Sequence, residues 1–523
     1  MFTRFVHRLS LSLAFASFTV CAPAAEALAE LVPVSSLIAL TPGTLVSGPM
    51  LGYRTHREVL IWLETRDAAE VSLTYQLADT IEATGLTPVI PASPAKTEAG
   101  LSVFTSASNA PSVATAVVTI THRAPAVSPA GTQPQKFVLP LLEMGRRYTY
   151  SITIDGKPQT FPYPLSFQTT DQWEWRKPAP DFSFLFGSCA YLNDPAYDRP
   201  GKPYGQGTEI FKHMAESGAD FCLWGGDNIY LREADFSSES GIWYRYSKDR
   251  ATADQQKLFA VMHHYATWDD HDYGNDNANQ SFEFKDITLA AFKAYWGNPT
   301  FGESSNPGVY GKFLWSDASF FLMDDRTYRD ETTLDQDKVP RKTAWGDRQF
   351  TWLKQSLLNA QSKKSQRFKF IITGGQVIQS VIKTAHSETH ELYRREREEL
   401  IDFIRENKIT GVIFLTGDVH HTALYRRPLD EAGTQFIYEL TSSPLSSSSW
   451  AAAASEKAAD PAVIAGTIVG TQNFCKISAT GTKDTRALVI RCYDKANVFQ
   501  WEQTIPASAL ELPPAAPPAA AAQ

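Results

Sequence analysis

The chain has 523 residues, of which 43% are hydrophobic and 20% are charged, the balance of a folded globular protein rather than a disordered one. This length allows two or more domains with well-buried cores. The net charge of −8 gives no basic field for DNA or RNA, so nucleic-acid binding is excluded as the main role.

The first segment has the pattern of an export signal. Arg4 and Arg8 precede an apolar stretch over residues 9–22, and small-x-small cleavage patterns follow it, such as Ala27-Leu-Ala29. The stretch is too short to span a bilayer comfortably, and the two arginines are not adjacent, as a twin-arginine signal requires. We therefore predict a Sec-type signal peptide over residues 1–29, a periplasmic or secreted protein, and no transmembrane segment.

A small all-β domain is predicted over residues 30–170. Val71–Leu77 and Tyr148–Ile154 alternate apolar and polar residues with a period of two, as half-solvated strands do. The spacing of Leu142, Gly145 and Tyr148 is typical of the tyrosine corner of immunoglobulin-like sandwiches. We expect a β-sandwich of the immunoglobulin or fibronectin type.

The pattern changes after a stiff linker at residues 171–180. From residue 181 to residue 505, apolar strand-like runs alternate with helical segments, which indicates an α/β layered domain. Thr208–Ser217, Gln349–Gln361 and Glu391–Asn407 are the predicted helices. Residues 506–523, rich in Pro and Ala, are predicted to be a low-complexity tail.

Side chains that suit metal ions follow four apolar runs of the α/β region. In open α/β sheets, ligands bind where the strands end. Carboxylates and phenols are hard oxygen donors for divalent or trivalent ions. The four segments are Gly187-Ser-Cys189, Gly226-Asp-Asn-Ile-Tyr230, Trp268-Asp-Asp-His-Asp272 and Gly417-Asp-Val-His420. Their order and chemistry together predict a two-metal hydrolase.

Two cysteines near the C-terminus leave two alternatives open. Cys475 and Cys492 lie in apolar, strand-like stretches. An exported protein could join them in a disulfide, or keep both as buried thiols.

The four segments, together with Met323-Asp-Asp-Arg-Thr-Tyr-Arg329, resemble the motif set of the PhoD-type alkaline phosphatases. That family belongs with the calcineurin-like and purple-acid metallophosphatases. The resemblance covers nearly the whole mature chain, because the family also carries an N-terminal immunoglobulin-like domain. It implies an α/β metallophosphatase fold, with a β-sandwich core flanked by helices, preceded by the small all-β domain.

The resemblance also implies the metals and their ligands. An iron ion would be held by Cys189, Asp227, Tyr230 and His420. Three of these donors are anionic, which favours Fe³⁺. The neighbouring site would share Asp227 and add Asp270 and Asp418, and so many carboxylates favour one or two Ca²⁺ ions. Gln376 is a further candidate for this side, and its ligand status stays open.

Three residues are assigned to catalysis. His271 is expected to act as general acid or transition-state donor, with Asp272 orienting it, and a purely structural histidine is the alternative. Arg326 is expected to bind phosphate oxygens, since a guanidinium matches them bidentately. The alternative for Arg326 is a structural ion pair with one of the neighbouring carboxylates Asp324, Asp325 or Asp330. Asp269 is expected to support the metal ligands from outside.

These features predict an alkaline phosphatase that frees phosphate from small organic monoesters with a metal-bridging hydroxide. We expect it to act as a monomer. A phosphodiesterase or phospholipase is the alternative among enzymes, since the same metal pair cleaves diesters. Outside enzymes, the alternative is a secreted binding protein whose metal site is vestigial.

Overall fold

The structure, a computed structural model, describes residues 43–67, 69–78, 117–123, 128–339, 341–379, 388–431, 433–449 and 460–511. The predicted signal peptide and most of the predicted tail lie outside these ranges. Within them, no helix combines the length and the apolar character that crossing a lipid bilayer requires.

The described residues before the linker form strands. β3 buries Val71, Leu73 and Tyr75 and turns the residues between them outward, as its alternating sequence predicts. The main-chain N–H of Glu143 donates to the Tyr148 hydroxyl at 2.8 Å, which is the hydrogen bond of a tyrosine corner. The strands are β1 (Leu45–Arg54), β2 (Val59–Arg66), β3 (Glu70–Leu77), β4 (Val118–Arg123), β5 (Thr132–Leu139), β6 (Arg147–Ile154), β7 (Lys157–Pro158) and β8 (Ser166–Gln168).

Strands and helices alternate after the linker. The strands are β9 (Phe182–Gly187), β10 (Phe221–Gly225), β11 (His263–Thr267), β12 (Gly311–Trp315), β13 (Ala318–Leu322), β14 (Phe368–Ile372), β15 (Val412–Thr416), β16 (Ala423–Pro428), β17 (Phe436–Thr441), β18 (Asn473–Thr480), β19 (Ala487–Asp494) and β20 (Phe499–Pro506). The α-helices are α1 (Glu209–Glu216), α2 (Glu239–Arg250), α3 (Ala253–Val261), α4 (Asp270–Tyr273), α5 (Lys285–Tyr295), α6 (Asp347–Ser362) and α7 (Arg394–Glu406). The three predicted helices are confirmed as α1, α6 and α7.

Two large sheets pack face to face. In the described residues, one has nine strands in the order β20-β19-β18-β9-β10-β11-β1-β2-β5, and the other has six in the order β12-β13-β14-β15-β17-β16. Phe184 of the first sheet meets Phe320 and Phe370 of the second edge-to-face, each with 5.3 Å between ring centroids. These aromatic contacts lie in the apolar core that the predicted β-sandwich requires.

The strands that precede the predicted ligands run parallel within each sheet. β9, β10 and β11 are neighbours in the first sheet, and β14 and β15 are neighbours in the second. Because parallel strands end at the same edge, the loops after β9, β10, β11 and β15 come together there. These loops carry the predicted metal ligands.

The region before the linker is joined to this architecture by main-chain pairing. β1 pairs in parallel with β11, so β1, β2 and β5 extend the nine-stranded sheet, while β3, β4, β6, β7 and β8 form a sheet of their own. A separate immunoglobulin-like domain at residues 30–170 stays a prediction, as do the other predicted domain bounds. At the far end, ordered structure continues past residue 505: a 3₁₀ helix spans Ala507–Leu510 and buries Leu510.

Cys475 and Cys492 face each other in register across β18 and β19. Both are buried and both are free thiols in this structure.

Candidate metal centre

Four of the predicted ligands occupy left-handed backbone positions. The φ angle is 59° at Cys189, 51° at Asp227, 66° at Asp418 and 52° at His420. Residues other than glycine seldom adopt this conformation, and it is concentrated where a side chain must be aimed at a functional site. Each of these turns follows the end of a buried strand, so packing of the sheet holds the strained loop in place.

The sulfur and the phenol of the predicted iron site lie on the same side of the centre. The Cys189 Sγ is 3.7 Å from Asp227 Oδ2, and the Tyr230 hydroxyl is 3.4 Å from His420 Nε2. The Ser443 hydroxyl donates to Cys189 Sγ at 3.1 Å. All four predicted ligands are buried, and Ser443 links the two pairs, since its hydroxyl also accepts from the main-chain N–H of His420 at 3.2 Å.

Carboxylates crowd the other side of the centre. Asp227, Asp270 and His271 each offer one donor atom, and these atoms lie within 4.8 Å of one another. Asp269, Asp270 and Glu388 form a second such group among the described residues, by the same distance. The two groups share Asp270, which places it between the two halves of the centre.

The predicted ligands are buried acidic side chains and an imidazole, and the anionic forms of the acidic side chains need a neighbouring positive charge. Burial, and then the charges of Asp270, Asp269 and other carboxylates, raise the pKa of Asp227 well above its usual range. Burial and the neighbouring Glu388 raise the pKa of Asp418 to about 8. Burial raises the pKa of the Cys189 thiol, and burial lowers the pKa of His420 to about 4. Buried anionic donors in such number are stable only when paired or when they bind metal ions, so the donor set fits metal binding.

His271 lies at the boundary between the centre and solvent. Its Nε2 is 3.9 Å from Asp270 Oδ2 and 3.6 Å from Asp276 Oδ1, and its ring centroid is 4.3 Å from that of Tyr230. Its Nδ1 is buried and makes no hydrogen bond within the described structure. Its main-chain N–H donates to Asp227 Oδ1 at 3.2 Å, which ties the two loops together.

The prediction that Asp272 orients His271 is wrong. Asp272 accepts hydrogen bonds from the main-chain N–H groups of Asp269, Asn228 and Ile229 at 3.1 to 3.3 Å. It therefore fixes the loop between Asp227 and Tyr230 rather than the imidazole. Burial raises the pKa of Asp272 to about 7. The carboxylates that face His271 are Asp270 and Asp276.

For Arg326 the structure favours the ion-pair alternative. The predicted partner Asp325 lies 3.8 Å from its Nε, and two nearer partners, Asp269 and Glu388, were not predicted. The guanidinium is fully buried, donates to Asp269, and donates bidentately to Glu388 at 2.7 and 2.8 Å. With its donors occupied in this way, it is not directed at a substrate. Arg329 donates to the main-chain oxygen of Glu388 at 2.9 Å. Asp269 bonds Arg326 and also belongs to one of the two acidic groups, so its predicted role outside the ligand set stays a prediction.

Glu388 is the residue that sequence reasoning missed. It follows no apolar strand, and it lies in the polar run His386-Ser-Glu-Thr-His390. The only signal in the sequence is the presence of two arginines, Arg326 and Arg329, after β13, since buried arginines need carboxylate partners.

The amide nitrogen of Gln376 bonds two hydroxyl groups and none of the predicted ligands. The Nε2 group donates to the Tyr425 hydroxyl at 3.1 Å and to Thr441 Oγ1 at 2.9 Å. Its Oε1 is buried and has no hydrogen-bond partner among the described residues. Whether Gln376 is a ligand stays a prediction.

A pocket of about 220 Å³ opens beside His271 and Tyr230. Three larger clefts, of about 260, 550 and 600 Å³, contain none of the predicted ligands. The smaller pocket is therefore the one through which a substrate would approach the centre.

Comparison with known proteins gives matches of three kinds: a family, a relative in sequence and solved structures of similar fold. The sequence model of the PhoD-like phosphatase family matches residues 184–486, more than half of the chain. Alkaline phosphatase D of Bacillus subtilis (strain 168) is 26% identical over 279 residues, and this alignment covers 46% of each chain, so the match spans about half the length of that relative.

Two solved structures are similar in fold. The structure of PhoD superposes with a TM-score of 0.66 at 16% identity, covering 89% of this chain and 93% of that one. A purple acid phosphatase from seeds of yellow lupin (Lupinus luteus) has a TM-score of 0.53 at 12% identity, covering 88% of this chain and 74% of that one. At these identities the likeness establishes a metallophosphatase fold with mixed sheets.

Proposed function

The chain belongs to the PhoD-like phosphatase family, and we propose that it is a metal-dependent phosphoester hydrolase of the alkaline phosphatase type. The proposal is that it is exported to the periplasm or beyond, as the pattern at residues 1–29 suggests, and releases phosphate from small organic monoesters. One observation carries the catalytic proposal. The predicted donors come from four separate loops and converge at one buried edge beside an open pocket.

The ligand sets proposed for the two ions are supported by the chemistry of the donors. The thiol, phenol, imidazole and carboxylate side of the centre suits Fe³⁺, and the carboxylate side suits Ca²⁺. When bound, the ions supply Lewis-acid activation of water and neutralise charge on the phosphoryl oxygens. The residues proposed to hold iron are Cys189, Asp227, Tyr230 and His420, and those proposed to hold calcium are Asp227, Asp270 and Asp418.

His271 is the group proposed to handle the proton. It lines the pocket, its side chain is partly exposed, and two carboxylates lie within 4 Å of its Nε2. An imidazole at this position can donate a proton to the oxygen of the departing alcohol. Asp276, at the mouth of the pocket, takes the orienting role that the sequence assigned to Asp272.

Arg326 and Glu388 are proposed to position the carboxylates rather than to touch the substrate. Arg326 holds Asp269, and Asp269 accepts from the main-chain N–H of Asp270 at 3.0 Å. Because Asp270 belongs to both acidic groups, this chain of contacts sets where a metal-facing carboxylate lies.

The test is a substrate panel combined with elemental analysis on one purified preparation. p-Nitrophenyl phosphate, bis-p-nitrophenyl phosphate and a phospholipid separate monoesterase, diesterase and phospholipase activity. We expect iron and calcium in the protein, monoester turnover, loss of turnover on calcium chelation and recovery on calcium addition. Zinc alone in both sites would contradict the ligand assignment, and faster turnover of the diester would replace the monoesterase proposal with the diesterase one.

Asp227→Asn is the decisive variant, because this carboxylate is proposed to serve both ions. It should lose metal and turnover together. Asp317→Asn is a matched control: Asp317 is equally buried, but it pairs with Arg486 outside the centre, so this variant should keep its metal content. A physiological activity that survives in Asp227→Asn would favour a secreted binding protein with a vestigial site.

A further inference from the structure

The pocket beside the candidate metal centre is walled by tyrosine rings. The ring centroids of Tyr191 and Tyr204 are 4.8 Å apart, and those of Tyr191 and Tyr230 are 4.9 Å apart. Tyr204 and Tyr230 are 6.2 Å apart. All three line the same pocket as His271.

Two of these three rings have little free surface for a ligand, because other parts of the protein already cover them. Tyr230 is only 3% exposed and belongs to the proposed iron site. Tyr191 carries the Arg232 guanidinium 4.1 Å above its ring, and its hydroxyl donates to Asp198 at 2.6 Å. Tyr204 is 37% exposed, so it is the ring with surface left to offer. An exposed aromatic ring beside a candidate catalytic centre is a surface suited to recognition rather than to packing.

Contacts within the protein hold Tyr204 in place before any ligand binds. Its hydroxyl lies 3.4 Å from His420 Nδ1, on the opposite side of the imidazole from Tyr230. The following residue, Gly205, exchanges two hydrogen bonds of 2.9 Å with the Asn193 side chain. The main-chain N–H of Gln206 donates to the main-chain oxygen of Ser446 at 2.7 Å. A ring held in this way loses little freedom when a ligand packs on it.

The geometry points to Tyr204 as the floor of a subsite for a flat, aromatic leaving group. This inference rests on the proposed function. If His271 donates to the departing oxygen, that oxygen faces the pocket that His271 shares with Tyr204. The organic part of the ester then lies against the ring of Tyr204, while the phosphoryl group lies at the proposed metal ions. Aryl and arylmethyl phosphoesters should be preferred over phosphoesters of polyols.

The test compares Tyr204→Leu with Tyr204→Phe in the metal-loaded protein. Phenylalanine keeps the ring and removes the hydroxyl that faces His420, whereas leucine removes both, so the difference between the variants isolates the ring. The substrates are benzyl phosphate and glycerol 1-phosphate, whose leaving groups are both primary alkoxides. Binding of benzylphosphonate and methylphosphonate, measured by calorimetry, gives a second readout that needs no turnover.

We expect Tyr204→Phe to keep the preference for the benzyl compounds and Tyr204→Leu to reduce it roughly 2- to 10-fold, in both kcat/KM and Kd, as the worth of an aromatic contact implies. Equal losses on both substrates, or equal binding ratios in the two variants, would overturn the subsite. If the wild-type protein cleaves neither ester, the proposed function fails, and the phosphonate ratios still decide whether Tyr204 binds aromatic groups.

Discussion

Replacement of Arg326 by methionine tests how the acidic side of the centre is held together. The guanidinium is fully buried between Asp269 and Glu388 and donates to both. Methionine has a similar length and no charge, so Arg326→Met leaves the buried Asp269 without this cation and leaves Glu388 with only Arg329, 3.9 Å away.

The expected cost follows from that arrangement. Removing one partner of a buried ion pair lowers the free energy of unfolding by about 3–5 kcal/mol, because the remaining charge is left in a poorly solvated site. Neutralising the remaining partner should return part of the loss. We therefore expect Arg326→Met combined with Glu388→Gln to be more stable than the sum of the single effects predicts, with a coupling energy of roughly 0.5–3 kcal/mol.

Urea-induced unfolding followed by tryptophan fluorescence measures these differences, and the KM for p-nitrophenyl phosphate is measured on the same variants. Arg395→Met is the matched control, since Arg395 and its partner Asp337 are both largely exposed and 3.5 Å apart, so little stability should be lost. If Arg326→Met keeps its stability and raises the KM, the positioning role is refuted. The earlier prediction that Arg326 binds phosphate oxygens would then be favoured.

Three further outcomes are expected. If the proposed iron site is correct, Tyr230→Phe should abolish the visible absorption of a tyrosine-to-iron charge transfer. Tyr191→Phe, which removes another phenol of the same pocket, should keep this absorption. An unchanged spectrum in Tyr230→Phe would remove Tyr230 from the proposed iron ligands. Asp272→Ala leaves three main-chain N–H groups of the ligand loops without an acceptor, at about 1–3 kcal/mol each, so it should lower both the free energy of unfolding and the metal content. Burial raises the pKa of Glu396 to about 7. The folded protein therefore holds this proton more tightly than the unfolded chain, and stability should fall by about 3 kcal/mol as the pH rises from near 4.5 to 7, then level off. Glu396→Gln should flatten that decline in unfolding measurements across this range, and an equally steep decline in the variant would assign it to other groups.

Local pattern was sufficient to place a predicted ligand in the fold where that residue directly follows a buried strand. Cys189, Asp227 and Asp418 each come one or two residues after an apolar run, and parallel strands bring such positions to one edge. The converging loops of the structure agree with that reasoning.

Local sequence pattern did not predict the partners of side chains whose contacts come from distant parts of the chain. Asp272 stands next to His271 in the chain, but neighbouring residues on a helical turn point in different directions, so its carboxylate faces a different loop. Glu388 acquires its place only because Arg326, more than sixty residues earlier, needs a partner in the buried centre.

The sheet order was equally beyond reach of local pattern. The alternation at Val71–Leu77 and Tyr148–Ile154 predicts β3 and β6, but no local pattern in the sequence specifies β11 as the partner of β1. Pairings of such long range depend on the assembled fold, since one period-two strand resembles another.

The pairing of β1 with β11 has a consequence for anyone who wishes to shorten the protein. A fragment that begins at the linker would leave one side of β11 with free N–H and C=O groups, and an uncovered strand of this kind is a template for association with other copies. The leading segment therefore shields the strand from which Asp270 and His271 emerge, and solubility of the remainder depends on keeping it attached.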